Sequence, residues 1–248
     1  YSTKMFRTPE SKLPAMGVSG EVGPQLFEAA GKDVRMVIRA RQTESTTGNV
    51  FGEKGPEDGP VILVCAHHEA SPNSPGASDD ASGIGVVLAI AQRFAGAECG
   101  ARLRFVGWGG HEFGVFGSKW YVDNCRDEAL KVKRLLVFDV VGAPDSRPRI
   151  SVCGSEGLQR QVGAYAERRS DVAFVVRNRG GGDASTFVPI GVEAVSIGSD
   201  CSGRRPPTHS PMDDLRWVDR ANLDRCVDVG VELVKEWMGQ FGVTCRGV

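Results

Sequence analysis

The feature that most constrains this chain is an alternation of two hydrophobic periods along it. Short continuous apolar runs occupy residues 61–66, 103–108, 135–141, 172–176 and 192–197. Their length and Val/Ile/Leu character are those of strands buried on both faces. Helical periods lie between them. Ile84, Val87, Leu88, Ala91 and Phe94 mark one face of a helix that begins at Ser82. Residues 157–169 give a second helix, and residues 219–241 a long third one with Leu223, Val227, Val231, Val234 and Met238 inward. Strands alternating with helices predict an α/β fold whose largely parallel sheet is covered on both faces.

Upstream the signal is weaker. Residues 1–22 are polar and proline-bearing without a clear period, 23–32 read as a short helix, and 34–40 alternate like a half-buried strand. Residues 55–60 carry strong turn chemistry. With no internal repeat, low-complexity tract or linker, the 248 residues read as one domain, in which 1–50 form a leading segment. The chain opens at Tyr1 rather than Met, which leaves room for a removed leader or a missing upstream domain.

Composition narrows the function classes. The 30 basic and 31 acidic residues leave a net charge of -1, which provides no electrostatic footprint for nucleic acid or an anionic membrane. No apolar run approaches the ~20 residues of a membrane-spanning helix. The seven cysteines are scattered and odd in number, so neither a disulfide framework nor a metal knuckle is expected, and most are assigned to the core. Trp108 and Trp120 are assigned there too. Glycine, at 32 of 248 residues, is about twice its usual share, and much of it sits in loops beside acidic and histidine residues.

The polar residues are not placed at random. There are four histidines. His67 and His68 directly follow the first apolar run and His111 follows the second. Asp139 lies near the end of the third, and His209 in the loop after the fifth. In an open α/β sheet the ligand crevice lies outside the carboxyl ends of the strands. Four separate segments therefore deliver His, Asp and Glu to one rim. Imidazole and carboxylate are the usual ligands of catalytic zinc, and two ions ~3.5–4 Å apart can share a carboxylate. Residues 76–83 (Gly-Ala-Ser-Asp-Asp-Ala-Ser-Gly) suit the shared position, their small side chains allowing close backbone approach while Asp80 or Ser82 caps the next helix.

At this point a family resemblance becomes specific. Ala66-His67-His68-Glu69 followed by residues 76–83 resembles the first two motifs of the co-catalytic dizinc aminopeptidase and glutamate carboxypeptidase family, which more distantly includes glutaminyl cyclases. Residues 109–118, around His111-Glu112, are similar to its paired-glutamate motif. Residues 138–142 resemble its later Asp motif, and 208–213 its final His motif. Residues 13–50 resemble the stretch leading into the catalytic domain in members with an inserted protease-associated domain. The resemblance implies a three-layer sandwich with a mixed, mostly parallel central sheet and helices on both faces. It further implies two zinc ions, with His67 and Asp139 on one, Glu112 and His209 on the other, and Asp79 bridging. The implied activity is exopeptidase hydrolysis of a peptide or amino-acid amide by a hydroxide held between the ions. It points to a secreted or periplasmic location, with a cytoplasmic one left open.

Two positions depart from the family pattern. Glu69 stands where the family has the Asp that orients the first histidine, and His111 stands where it has the glutamate general base. An imidazole can take that proton, since its unperturbed pKa is ~6.5; a metal ligand or pocket-shaping role is the other reading. Asp183, in Gly182-Asp183-Ala184, resembles part of a substrate-pocket segment and reads equally as a helix cap. Arg204 and Arg205 read as a substrate-carboxylate contact or a solvated pair. A metal-binding protein without turnover, a glutaminyl cyclase and an N-acyl amino acid hydrolase remain alternatives on the same fold.

Overall fold

The computed structural model describes residues 17–37, 39 and 43–248. In chain order the elements are α1 (Val22–Glu28), β1 (Val50–Lys54), β2 (Val61–His67), α2 (Ser82–Ala95), β3 (Glu98–Cys99) and β4 (Arg102–Trp108). Then follow α3 (Phe116–Asn124), α4 (Arg126–Leu130), β5 (Val132–Phe138), β6 (Ser146–Cys153), α5 (Glu156–Glu167) and β7 (Ala173–Val176). The last are α6 (Ala184–Phe187), β8 (Ala194–Cys201), α7 (Arg220–Gln240) and β9 (Cys245–Arg246). Seven strands form one sheet in the order β1-β4-β2-β5-β8-β6-β7. β4, β2, β5 and β8 run parallel; β1 is antiparallel to β4, and β6 to β8.

The continuous apolar runs are explained by two-sided burial. All seven residues of β2 are buried. Ile62, Val64 and Ala66 face a core with Ile90 and Phe94 of α2, Leu158 of α5 and Trp237 of α7. Val61, Leu63 and Cys65 face a second core with Tyr121 and Val122 of α3 and Phe187 of α6. One strand thus feeds two helical layers by simple alternation, which makes the three-layer sandwich. Side-chain caps start α5 and α7: Ser155 Oγ accepts from the Leu158 N–H and Asp219 Oδ1 from the Asn222 N–H.

The chain passes from β2 through α2 to β4 on one side, then crosses to β5 on the other. That reversal is a topological switch point, where the crevice beyond the strand ends opens. His67 ends β2 and Asp139 immediately follows β5.

Several sequence expectations are corrected. Residues 34–37 and 39 form no strand, while 38 and 40 lie outside the described residues. Val34, Met36 and Val37 are exposed and pair with no sheet edge, so alternation alone does not make a strand there. Leu88 points outward, and the buried face of α2 runs through Val86, Val87, Ile90 and Phe94. Trp120 is 58% exposed, whereas Trp108 is fully buried. Cys99 and Cys245, directly opposite in the β3–β9 pair, form a disulfide across 146 residues of sequence.

Candidate metal centre

The loop between β2 and α2 builds the centre of the site. Asp213, fully buried, accepts hydrogen bonds from the backbone N–H groups of Ser78 (3.0 Å) and Asp79 (3.1 Å), and from the Ser78 hydroxyl. Asp80, 1% exposed, accepts from the backbone N–H groups of His67 (3.3 Å), Gly83 (3.0 Å) and Val140 (3.2 Å). It therefore ties the end of β2, the start of α2 and the segment after β5 to one carboxylate. Val115, Val140 and His209 all adopt positive φ (55°, 54° and 60°). Two of these are β-branched residues held in a sparsely populated conformation, the kind of local cost that clusters at functional sites.

Held this way, the Asp79 carboxylate sits between two imidazoles. Its Oδ1 lies 3.0 Å from His67 Nε2 and its Oδ2 3.1 Å from His209 Nε2. His209 Nε2 is also 3.1 Å from Glu112 Oε2. Ligand atoms of Asp79, Glu112 and His209 lie within 4.8 Å of one another, as do those of His67, His111 and Asp139. All five expected ligand residues thus converge, and His111 joins them.

The other two expected residues act one layer out. The Glu69 carboxylate does not orient His67 directly, since Oε2 is 3.8 Å from Nδ1; the backbone carbonyl of Glu69 accepts from His67 Nδ1 at 2.9 Å instead. Glu69 Oε1 accepts from the Glu112 N–H at 2.9 Å. Asp183 makes no side-chain cap at α6; its carboxylate accepts from Ser118 Oγ (2.5 Å) and from His111 Nδ1 (2.7 Å). The His111 ring stacks on that of His67, with centroids 4.0 Å apart and planes 13° apart. His68 donates to the Gly48 carbonyl, and Arg204 and Arg205 are exposed.

The donor set fits cations. With Nδ1 of His67 donating to a carbonyl, its Nε2 turns a lone pair toward an Asp79 oxygen, and two acceptors in contact require a proton or a metal between them. Glu69 Oε2 and Glu112 Oε1 are buried without a hydrogen-bond partner. Without metal, protons fill the role. Burial works against a charged His67, but the hydrogen bond with Asp79 and the charges of Asp80, Asp139 and Asp79 push it up to about 11. The Asp79 and Glu112 hydrogen bonds push His209 up to about 10. Burial favours the neutral Asp79, yet the two histidines hold its carboxyl below the usual range. Burial opposes a charged His111 too, but Asp183 raises it, while burial raises Asp80 and Asp139. Such crowding of buried carboxylates and imidazoles is the electrostatic signature of a cation site.

Sheet, switch point and clustered ligands define a member of the zinc-exopeptidase superfamily. Within it, the sequence model described as peptidase family M28 matches residues 49–234, and the chain belongs to that family. A leucine aminopeptidase 2 from Trichophyton equinum is 31% identical over 195 residues, which is 67% of this chain and 39% of that protein. Among solved structures, an aminopeptidase from Aneurinibacillus sp. strain AM-1 is 27% identical with a TM-score of 0.66, covering 76% of this chain and 47% of that one. A zinc aminopeptidase from Bacillus subtilis shares the fold at 24% identity and a TM-score of 0.67, over 76% of this chain and 50% of that one. The chain therefore spans about half or less of the length of these relatives.

Reading the sequence missed Asp213, Asp80 as a three-way tie, and Ser118. Asp213 lies four residues after His209, but its partners are 134 and 135 residues away, and no local spacing announces that.

Proposed function

We propose that this chain carries the hydrolytic centre of a zinc aminopeptidase, which removes the amino-terminal residue of a peptide or amino-acid amide. The observation that carries the reading is the Asp79 carboxylate, with one oxygen toward His67 and the other toward His209. In this reading His67 and Asp139 would hold one zinc ion and Glu112 and His209 the other, with Asp79 as the shared ligand. The pair would supply Lewis acidity toward the scissile carbonyl and the attacking water.

The remaining chemistry falls to His111. Its Nδ1 is taken up by Asp183 Oδ2 at 2.7 Å, which leaves Nε2 free to act as a proton carrier beside the ions. Its Nε2 lies 4.0 Å from Asp139 Oδ2, at the mouth of the first ligand group. There it takes a proton from water and returns it to the leaving amine, a contribution of ~10²–10⁴-fold to rate. The Cys99–Cys245 bond supports a location in an oxidising compartment.

The test is hydrolysis of a panel of aminoacyl anilides and dipeptides by the purified, zinc-loaded protein. Release of the amino-terminal residue is expected, abolished by chelation and restored by zinc. Absence of amide turnover at full zinc occupancy would overturn the reading.

A further inference from the structure

The role proposed for His111 places a requirement on its ring. An imidazole must be told which nitrogen carries its proton; a carboxylate need not be. Ser118 is fully buried in α3 and Asp183 is 1% exposed at the start of α6. Ser118 Oγ donates to Asp183 Oδ1 at 2.5 Å, and Asp183 Oδ2 accepts from His111 Nδ1 at 2.7 Å. The line therefore joins Ser118 and His111, 65 and 72 residues from Asp183 in sequence.

The ring is also held sterically. His67 stacks on it, and a Cβ built on Gly182 would meet His111 Cε1 at 2.9 Å. Gly182 has φ +52°, so both space and backbone conformation favour glycine there.

We infer that Ser118 and Asp183 are positioning residues that fix His111 with the proton on Nδ1, leaving Nε2 as the open basic atom facing Asp139. The inference rests on the aminopeptidase reading for what His111 does, but the orientation itself is a property of this chain's own side chains. The Asp183 carboxylate is bonded to Ser118 and His111, and acts through the imidazole. The Ser118 hydroxyl has the Val115 carbonyl at 3.2 Å and Asp183 Oδ1 at 2.5 Å; the shorter contact takes its one proton, which orients the carboxylate and leaves the other oxygen for His111. The general logic is that a buried carboxylate fixes the tautomer and aim of a histidine without itself becoming the base.

The experiment uses zinc-loaded, ¹⁵N-histidine-labelled protein. An imidazole N–H bonded to a buried carboxylate at this distance gives a downfield proton resonance coupled to a ring nitrogen. It should be present in wild type and absent in His111→Ala and Asp183→Asn. Kinetically, Asp183→Asn should lower kcat on aminoacyl anilides by ~10²-fold or more, within the range of general acid–base catalysis, with KM and zinc content unchanged. In the His111→Ala background it should cause no further loss, because it acts only through that ring. Ser118→Ala keeps the carboxylate, and should shift the resonance and lower kcat less; it carries the test should Asp183→Asn fold poorly. Persistence of the resonance in Asp183→Asn, or multiplicative losses in the double variant, would overturn the inference. A wild type inert on every amide while the resonance behaves as stated would instead remove the aminopeptidase reading and leave the orientation of His111 standing.

Discussion

Gly83 gives the sharpest test of how the β2–α2 loop is built. A Cβ added there would lie 2.4 and 2.5 Å from the two Asp80 oxygens and 2.7 Å from Asp80 Cγ. A carboxylate on the surface would swing aside at little cost. This one is 1% exposed and held by three backbone N–H groups from three segments. Gly83→Ala must therefore overpack the loop, at ~1–3 kcal/mol, or break one or two of those bonds, at ~1 kcal/mol each. The gain in helix propensity offsets up to ~1 kcal/mol. The net loss is ~1–2 kcal/mol, which for a chain of this size lowers Tm by roughly 2–8 °C. Thermal unfolding of zinc-loaded and chelator-stripped protein measures it. The loss should persist after stripping, because the clash does not involve metal. A Tm equal to or above that of wild type in both forms would refute the reasoning.

Asp79→Ala should lose most metal from both positions and Glu112→Ala chiefly one equivalent, because only Asp79 presents an oxygen to each side; elemental analysis after gel filtration decides, and loss of one ion in both variants would contradict the shared role. His111→Glu, which places a carboxylate at the position proposed for the base, should match or exceed wild type on simple aminoacyl amides, whereas His111→Ala should fall by ~10²–10⁴-fold with metal content retained; steady-state kinetics checks both. Cys245→Ser removes a crosslink spanning 146 residues and should cost ~2–4 kcal/mol in denaturant unfolding, with no change in metal content.

How much was legible in the sequence follows from where the information lies. β2 was legible because two-sided burial leaves a continuous apolar run, and β4 because only Arg104 interrupts its apolar residues; the ends of those runs located His67 and His111. β1 was not, because Val50–Lys54 is an edge strand, exposed along most of its length, and Glu53 serves Arg102 and the buried Arg104 rather than a core. β6 was hidden by Arg147, Pro148 and Arg149, polar or breaking residues tolerated where the strand leaves the sheet's centre. The spurious strand at 34–40 shows the converse: alternation without a partner edge. In the site, residue types at strand ends pointed to the residues that the fold brings together, because the chemistry of imidazole and carboxylate is local. Asp80 and Asp213 act through backbone amides brought together only by the fold, and Asp183 reaches His111 from 72 residues away. The Cys99–Cys245 pair was equally hidden, since scattered cysteines carry no register until β3 and β9 pair.

The most direct test of the account is zinc stoichiometry measured together with turnover on one preparation. Purified protein is stripped, titrated with zinc, and assayed at each step for bound metal and for release of the amino-terminal residue from an aminoacyl anilide. Saturation is expected at two equivalents per chain, with turnover rising as the sites fill, and Asp79→Ala should lose most of its zinc together with its turnover. Saturation at one equivalent, or two tightly held ions in Asp79→Ala, would contradict it.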